Sequence, residues 1–80
     1  KMYVDAMHEG LPKKTVNKLT DMESEEWSKV RGRGKESAEL ERALGPGTMS
    51  ELRGMTKDEW SDLHGWMVLK RDLVTGKAYR

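Results

Sequence analysis

Glycine and proline divide this chain into short segments whose apolar residues recur at helical spacing. Residues 36–44, for example, place Leu40 and Leu44 one helical turn apart on the same face. The tripeptide Gly45-Pro46-Gly47 ends that segment, because proline cannot continue a helix and glycine adopts backbone angles that other residues avoid. The pattern predicts a mainly α-helical small domain of four or five short helices.

The first half of the chain contains two predicted helical regions before residue 31. Residues 3–9 form two turns that end at Gly10, which suits the position just after a helix. Residues 12–30 form either one long helix or two helices. In the second case the break lies near Thr20, where Thr20 and Glu23 have the spacing of a capping box. The apolar pattern does not decide between the two.

The clearest predicted helix start is in the second half. Thr56 and Glu59 form a capping box, and Met55 and Trp60 have the spacing of a hydrophobic staple around it. The sequence predicts a helix from residue 57 to about 64 that Gly65 ends.

The sequence of the carboxy-terminal tail predicts a β-hairpin. In residues 66–70 a strand would place Trp66, Val68 and Lys70 on one face, residues 72–76 form a turn that includes a glycine, and residues 78–79 return. The same residues also allow a helix that continues through Val74 and ends at Gly76.

Two stretches of the sequence match at an offset of 33 residues. The identical pairs are Leu19 and Leu52, Met22 and Met55, Glu26 and Glu59, Trp27 and Trp60, Ser28 and Ser61, and Gly32 and Gly65. One interpretation is a duplicated unit that packs about a pseudo-twofold axis. The other is that the same favourable way of starting an amphipathic helix occurs twice. Both interpretations make Trp27 and Trp60 core residues.

The composition limits the class of protein. With 80 residues the chain is predicted to form a single domain, and because it opens with Lys1 before Met2 it is compatible with a piece of a longer protein. The absence of cysteine excludes disulfides, thiol nucleophiles and cysteine-based zinc sites, and it suits a reducing, cytoplasmic environment. No apolar run approaches the roughly 18–20 residues of a membrane span, so no membrane association is predicted.

Catalytic and cofactor sites are not predicted. His8 and His64 are the only histidines, and neither has a second ligand at metal-binding spacing, so we expect no metal site. The serines have no base at a recognisable spacing, and no glycine-rich loop has the lysine of a phosphate-binding loop. We therefore expect no enzyme activity and no cofactor.

Residues 3–19 resemble the helix-turn-helix motif of bacterial and phage DNA-binding regulators. The matching positions are a small residue, a turn glycine, three core hydrophobes and the Thr of a Thr-Val pair: Ala6, Gly10, Leu11, Thr15, Val16 and Leu19. Pro12 stands where the family has a polar cap, and no supporting helix precedes the motif. Residues 36–44 or 57–64 would have to provide that support.

The resemblance implies that the second helix enters the DNA major groove. Lys13 and Lys14 would then reach phosphates or guanine edges near the start of that helix, Asn17 would bind adenine, and Lys18 would meet a phosphate. The resemblance thus predicts DNA as the partner and a cytoplasmic, nucleoid or nuclear location.

A second basic segment follows in the Arg-Gly stretch of residues 29–35. Arg31, Arg33 and Lys35 could contact a DNA backbone or lie in a narrow minor groove, where the negative potential attracts arginine. It is similar to the core of an AT-hook without that motif's prolines. A flexible basic loop between two helices explains the same residues, and three glutamates in residues 23–26 would repel phosphate on a shared face.

The alternative function is a protein-interaction or assembly module, as in a domain of a larger viral or mobile-element protein. Trp66 and Met67, with their apolar neighbour Val68, would form an exposed patch for a partner or for self-association. A small core filled with flexible methionines explains the same composition.

Overall fold

The computed structural model describes residues 2–75, with side chains from residue 3 to residue 74, and contains six helices and no strand within that range. The helices are α1 (Met2–Gly10), α2 (Lys13–Thr20), α3 (Ser24–Val30), α4 (Lys35–Leu44), α5 (Pro46–Arg53) and α6 (Lys57–Thr75). The mainly helical prediction is confirmed.

The helices fall into two units that match at the offset of 33 residues seen in the sequence. We call α1–α3 the first unit and α4–α6 the second unit. Moving both bounds of α2 by this offset gives the bounds of α5, and α1 and α3 begin at the positions equivalent to the starts of α4 and α6. The duplication therefore extends beyond the residues that are identical.

Hydrogen bonds at the helix starts also match between the units. The amide of Trp27 donates to the carbonyl of Glu23 at 2.9 Å, and the amide of Trp60 donates to that of Thr56 at 2.9 Å. The turns that precede them are closed in the same way, because Met22 and Met55 each donate to the leucine three residues earlier at 3.2 Å. Both units thus enter their third helix through the same backbone geometry.

One core joins the two units. Equivalent positions in both units are buried and apolar, namely Met7 and Leu40, Val16 and Met49, Leu19 and Leu52, Trp27 and Trp60, and Val30 and Leu63. A chain of this size has a thin core, so each of these side chains is a substantial part of the hydrophobic stabilisation.

Trp27 and Trp60 form a reciprocal pair at the centre of the interface between the units. Their rings are parallel to within 6°, with centroids 4.2 Å apart. Each indole Nε1 donates a 2.6 Å hydrogen bond to the backbone carbonyl of the other tryptophan. When residue i of one copy contacts residue j of the other and the reverse contact is also made, the copies are related by a twofold axis. The duplication interpretation of the sequence match therefore accounts for this packing.

Arg31 and His64 stand at equivalent positions and repeat this reciprocity. The Arg31 guanidinium donates to the carbonyls of Leu52 and Met55 at 2.7 and 2.8 Å, and it lies 5.1 Å from the ring centroid of Trp60. His64 Nε2 is 2.9 Å from the carbonyl of Leu19, and its ring is 4.7 Å from that of Trp27. Each side chain therefore bonds the last turn of the second helix in the other unit, where carbonyls lack helical partners.

Gly10 and Ala43, another equivalent pair, lie against each other where α1 packs on α4. A Cβ atom at Gly10 would lie 3.4 Å from the Cβ of Ala43. Gly10 does not have a positive φ angle; it is the last residue of α1, and Leu11 and Pro12 make the connection to α2. The glycine therefore lies at a contact between two helices and not in the turn that the sequence suggested.

The structure decides how residues 12–30 are divided into helices. The break between α2 and α3 near Thr20 is confirmed, but the capping box is not the predicted one. Glu23 caps α3 together with Glu26, while the Thr20 hydroxyl donates back to the carbonyl of Val16 at 3.0 Å.

The predicted capping box at the start of α6 is confirmed. The amide of Thr56 donates to Glu59 Oε1 at 2.9 Å, and the amide of Glu59 donates to Thr56 Oγ1 at 3.1 Å.

The predicted end of α6 at Gly65 and the predicted strand over residues 66–70 are wrong, because α6 continues to Thr75. The alternative of a continued helix is the correct one for these residues. Met67 is fully buried and follows Trp60 and Leu63 at helical spacing, so packing against the core favours a continued helix over a strand. The predicted return strand at residues 78–79 lies outside the described residues.

Candidate functional site

The last three turns of α6 have no counterpart in the first unit, because α3 ends at Val30. Among the side chains that the structure describes, this extension carries the large hydrophobic ones that are most exposed to solvent. They are Trp66, Leu69, Leu73 and Val74, which are 50%, 54%, 51% and 68% exposed. Trp66, Leu69 and Leu73 are spaced by three and four residues, so they share one face of the helix. We call these four residues the α6 stripe.

The extension is also anchored to the first unit. Met67 is buried in the core, and Lys70 donates to Asp5 of α1 at 2.6 Å. That hydrogen bond and the lysine charge hold the pKa of the Asp5 carboxyl below its usual value. The Arg71 guanidinium donates to Thr20 Oγ1 and to Asp21, both at 2.8 Å. The stripe is therefore presented by a helix that three side chains hold against the first unit.

Two open grooves meet at Trp66. The apolar groove, of about 540 Å³, is lined by Val4, Asp5, Trp66, Leu69, Lys70, Leu73 and Val74. The acidic groove, of about 430 Å³, is lined by Tyr3, Glu51, Met55, Glu59, Asp62, Leu63 and Trp66. In the acidic groove the Tyr3 hydroxyl donates to Glu51 at 2.6 Å, and this hydrogen bond raises the pKa of the Tyr3 phenol. Together the two grooves run along one side of α6.

The predicted partner-binding residues are separated by the helix. Trp66 is half exposed, as the interaction hypothesis requires, whereas Met67 is buried in the core and is not available to a partner. Sequence reasoning missed Leu69, Leu73 and Val74 because it placed them in or near a hairpin turn. Their three-and-four-residue spacing from Trp66 is the pattern that would have found them.

The predicted DNA-contacting helix, α2, has the expected division into two faces. Val16 and Leu19 are buried, as is Leu11 just before the helix, while Lys13, Lys14 and Asn17 are exposed.

Lys18 differs from the other predicted contacts of α2. Its ammonium lies 2.6 Å from a carboxylate oxygen of Glu36 on α4. This hydrogen bond, with the charges of Glu36, Glu39 and Glu26, raises the pKa of Lys18. Glu39 also accepts a hydrogen bond from Thr15 of α2 at 3.3 Å. One edge of α2 therefore adjoins carboxylates that would repel a phosphate backbone.

The second predicted basic segment is divided by the structure. Arg31 donates to the carbonyls of Leu52 and Met55 and stacks on Trp60, so it has a structural role within the domain. Arg33, in the loop after α3, and Lys35, the first residue of α4, are both exposed.

Within residues 2–75, no group of three or more potential metal-ligating side chains comes together. Over the same residues, no helix is long and apolar enough to cross a membrane.

No family model, curated protein or solved structure matches this chain. The site is therefore interpreted from its own geometry.

Proposed function

We propose that this domain is a non-catalytic protein-interaction module that binds its partner through the α6 stripe and the grooves beside it. The observation that carries the proposal is a cluster of four hydrophobic side chains on one helix, each of which is at least half exposed. Only 35% of the residues are hydrophobic and 36% are charged, so exposed apolar surface is not a general property of this chain.

The energetics favour a docking role for this surface. Each exposed apolar side chain that a partner covers contributes on the order of 25 cal/mol per Å² of buried area. Contiguous apolar patches on small proteins commonly mark interaction sites, and tryptophan is among the residues that most often dominate binding energy. Trp66 lies where both grooves meet and is the expected centre of the interface.

Selection from a random displayed peptide library tests the proposal. The bait is the whole domain, and counter-selection uses the Leu69→Ser/Leu73→Ser variant, whose fold is checked by circular dichroism. We expect enriched peptides that bind the original domain and lose at least about ten-fold in affinity for the variant, since two apolar contacts are removed. Enriched peptides that bind both proteins equally, or no enrichment at all, would contradict the proposal.

DNA binding through α2 is the second candidate function. It is favoured by one observation, that Lys13, Lys14 and Asn17 are exposed together on the outer face of α2 while its inner face is buried. Arg33 and Lys35 would add contacts to the phosphate backbone. Neither Arg31 nor Lys18 is included among the principal contacts, because each is held by other groups of the domain.

Binding to a fluorescent DNA duplex over a range of salt concentrations tests this candidate. Lys14→Ala is expected to weaken binding and to reduce the salt slope by about one, as the loss of one phosphate contact requires. Lys18→Ala is the matched control and should change binding less. Undetectable duplex binding at about 50 mM salt would exclude the candidate, because low salt favours any phosphate-contacting protein.

A further inference from the structure

The two grooves along α6 differ in charge, and this difference describes the partner. In the apolar groove the two charged lining residues neutralise each other, because Lys70 and Asp5 form a 2.6 Å ion pair. The acidic groove is lined by Glu51, Glu59 and Asp62, and no lysine, arginine or histidine is among the described residues that line it. Among the described residues that line the two grooves, the net charge is therefore negative and lies at one end of the stripe.

The acidic groove also has an apolar floor. Met55, Leu63 and Trp66 line it together with the three carboxylates. Such a surface fits the side chain of lysine or arginine, whose aliphatic stem packs on apolar groups while its charge remains near carboxylates and water. The face of an exposed tryptophan adds an attraction for the same cation.

The length of the surface sets the length of the occupant. Asp62 and Leu73 are separated by about 17 Å along α6, at 1.5 Å per residue. A helix that follows the grooves needs about three turns to cover this distance. Such a helix would place apolar side chains on Trp66, Leu69 and Leu73 and a basic side chain beside Asp62.

We infer that the partner segment is an amphipathic helix with a Lys or Arg at the end that meets the acidic groove. This inference rests on the proposed protein-interaction function and specifies its partner class. A second copy of this chain fits less well, because antiparallel pairing over the whole length from Glu59 to Leu73 would set the acidic half of one α6 against the apolar half of the other.

The experiment uses the whole domain and designed helical peptides of about 15 residues with a fluorescent label. All carry leucines at i, i+3 and i+7. They differ beyond the apolar stripe, where they carry two lysines, two glutamines or two glutamates, each placed at either end because the direction of the bound helix is not specified. Binding is measured by fluorescence anisotropy at low and high salt.

We expect the better lysine peptide to bind about five-fold or more tightly than its glutamine counterpart, and the glutamate peptide to bind most weakly. The Asp62→Lys variant should reverse this order. Glu9→Lys is the matched control, since Glu9 is exposed near the end of α1 and lines neither groove, and it should leave the order unchanged. High salt should reduce the difference between the peptides.

Three other outcomes overturn the inference in distinguishable ways. If all the peptides bind equally and Leu73→Ser abolishes their binding, the apolar docking function stands and the basic partner class fails. If none of the peptides binds, and the library selection also yields nothing, the interaction function itself fails. If the domain sediments as a dimer that Leu73→Ser dissociates, the stripe is covered by a second copy and the inferred partner is wrong.

Discussion

The two units of this domain share an interior and differ on their surfaces. At the five core pairs that join the units, both residues are buried and apolar. On the outer face of the second helix, however, α2 has Lys13, Lys14, Asn17 and Lys18 where α5 has Pro46, Gly47, Ser50 and Glu51. The shared positions account for the fold, and the positions that differ are where the two units can have separate functions.

The third helices show the same separation more strongly. α3 is 7 residues long and ends at Val30, whereas α6 is 19 residues long and carries the α6 stripe beyond the equivalent point. Ser28 and Ser61 are both exposed and Trp27 and Trp60 are both buried up to that point. The extension therefore adds an exposed surface to the second unit, and through Met67, Lys70 and Arg71 it also adds contacts with the first unit.

The largest predicted effect tests the equivalence of the two tryptophans. Trp27→Ala and Trp60→Ala should each lower the free energy of unfolding by about 3–5 kcal/mol, because each removes a buried aromatic ring and one indole donor. Chemical denaturation measures both values. A large loss of unfolding free energy at one tryptophan with almost none at the other would contradict the equivalence of the two residues.

The next effect compares the side chains that bond across the units. Arg31→Ala should cost about 2–3 kcal/mol of unfolding free energy, because two carbonyls lose hydrogen bonds from a charged donor. His64→Ala should cost about 1 kcal/mol, because one carbonyl loses one hydrogen bond. Denaturation of both variants, with Arg33→Ala as the exposed control, gives the order. If Arg33→Ala lowers the free energy of unfolding as much as Arg31→Ala, the effect comes from the loss of a positive charge and not from the loss of the hydrogen bonds.

A smaller effect of opposite sign distinguishes the third helices at Gly32 and Gly65. Gly65 lies inside α6, and a Cβ added there would meet no atom within 4 Å. Gly65→Ala should therefore stabilise the domain by about 0.5–1 kcal/mol through the higher helix propensity of alanine. Gly32→Ala, beyond the end of α3, should change stability less. Destabilisation by Gly65→Ala would argue against a continuous α6.

The smallest effect concerns two of the surface ion pairs, Asp5 of α1 with Lys70 of α6 and Lys18 of α2 with Glu36 of α4. The pKa of Asp5 is lowered mainly by its hydrogen bond from Lys70, and that of Glu36 mainly by its hydrogen bond from Lys18. A carboxyl with a lowered folded-state pKa stabilises the protein above its unfolded-state pKa, and this contribution disappears as the pH falls through the folded-state value.

Asp5→Asn and Glu36→Gln should therefore each lower the melting temperature slightly near pH 7. The difference from the original domain should shrink as the pH falls below the ordinary carboxyl pKa of about 4, and it should vanish once the folded-state carboxyls are protonated as well. Thermal unfolding at several pH values measures this. A difference that persists unchanged in acid would assign the effect to packing and not to charge.

Much of the fold follows from local patterns in the sequence. The glycine and proline stops, the helical spacing of Leu40 and Leu44, and the capping box of Thr56 with Glu59 each act over a few residues. The break after α2 was allowed by the pattern but not decided by it. The offset of 33 residues in the sequence indicated a duplication. It could not indicate how the two units pack, which the reciprocal hydrogen bonds of Trp27 and Trp60 show.

The parts that the sequence did not predict depend on contacts between distant segments. The continuation of α6 past Gly65 is favoured by the burial of Met67 and by the bonds of Lys70 and Arg71 to residues at least 50 positions earlier. The structural role of Arg31 likewise depends on carbonyls of α5 and of the turn after it. The ion pair of Lys18 depends on Glu36 of α4. None of these partners lies within the local windows that periodicity and capping rules use.

Hydrogen exchange of the three indole N–H groups, followed by NMR, tests the central claim most directly. The account predicts two slowly exchanging indole protons, those of Trp27 and Trp60, and one that exchanges rapidly, that of Trp66. Rapid exchange at Trp27 or Trp60 would contradict the reciprocal pair that joins the two units, and slow exchange at Trp66 would contradict the exposed stripe on which the proposed function depends.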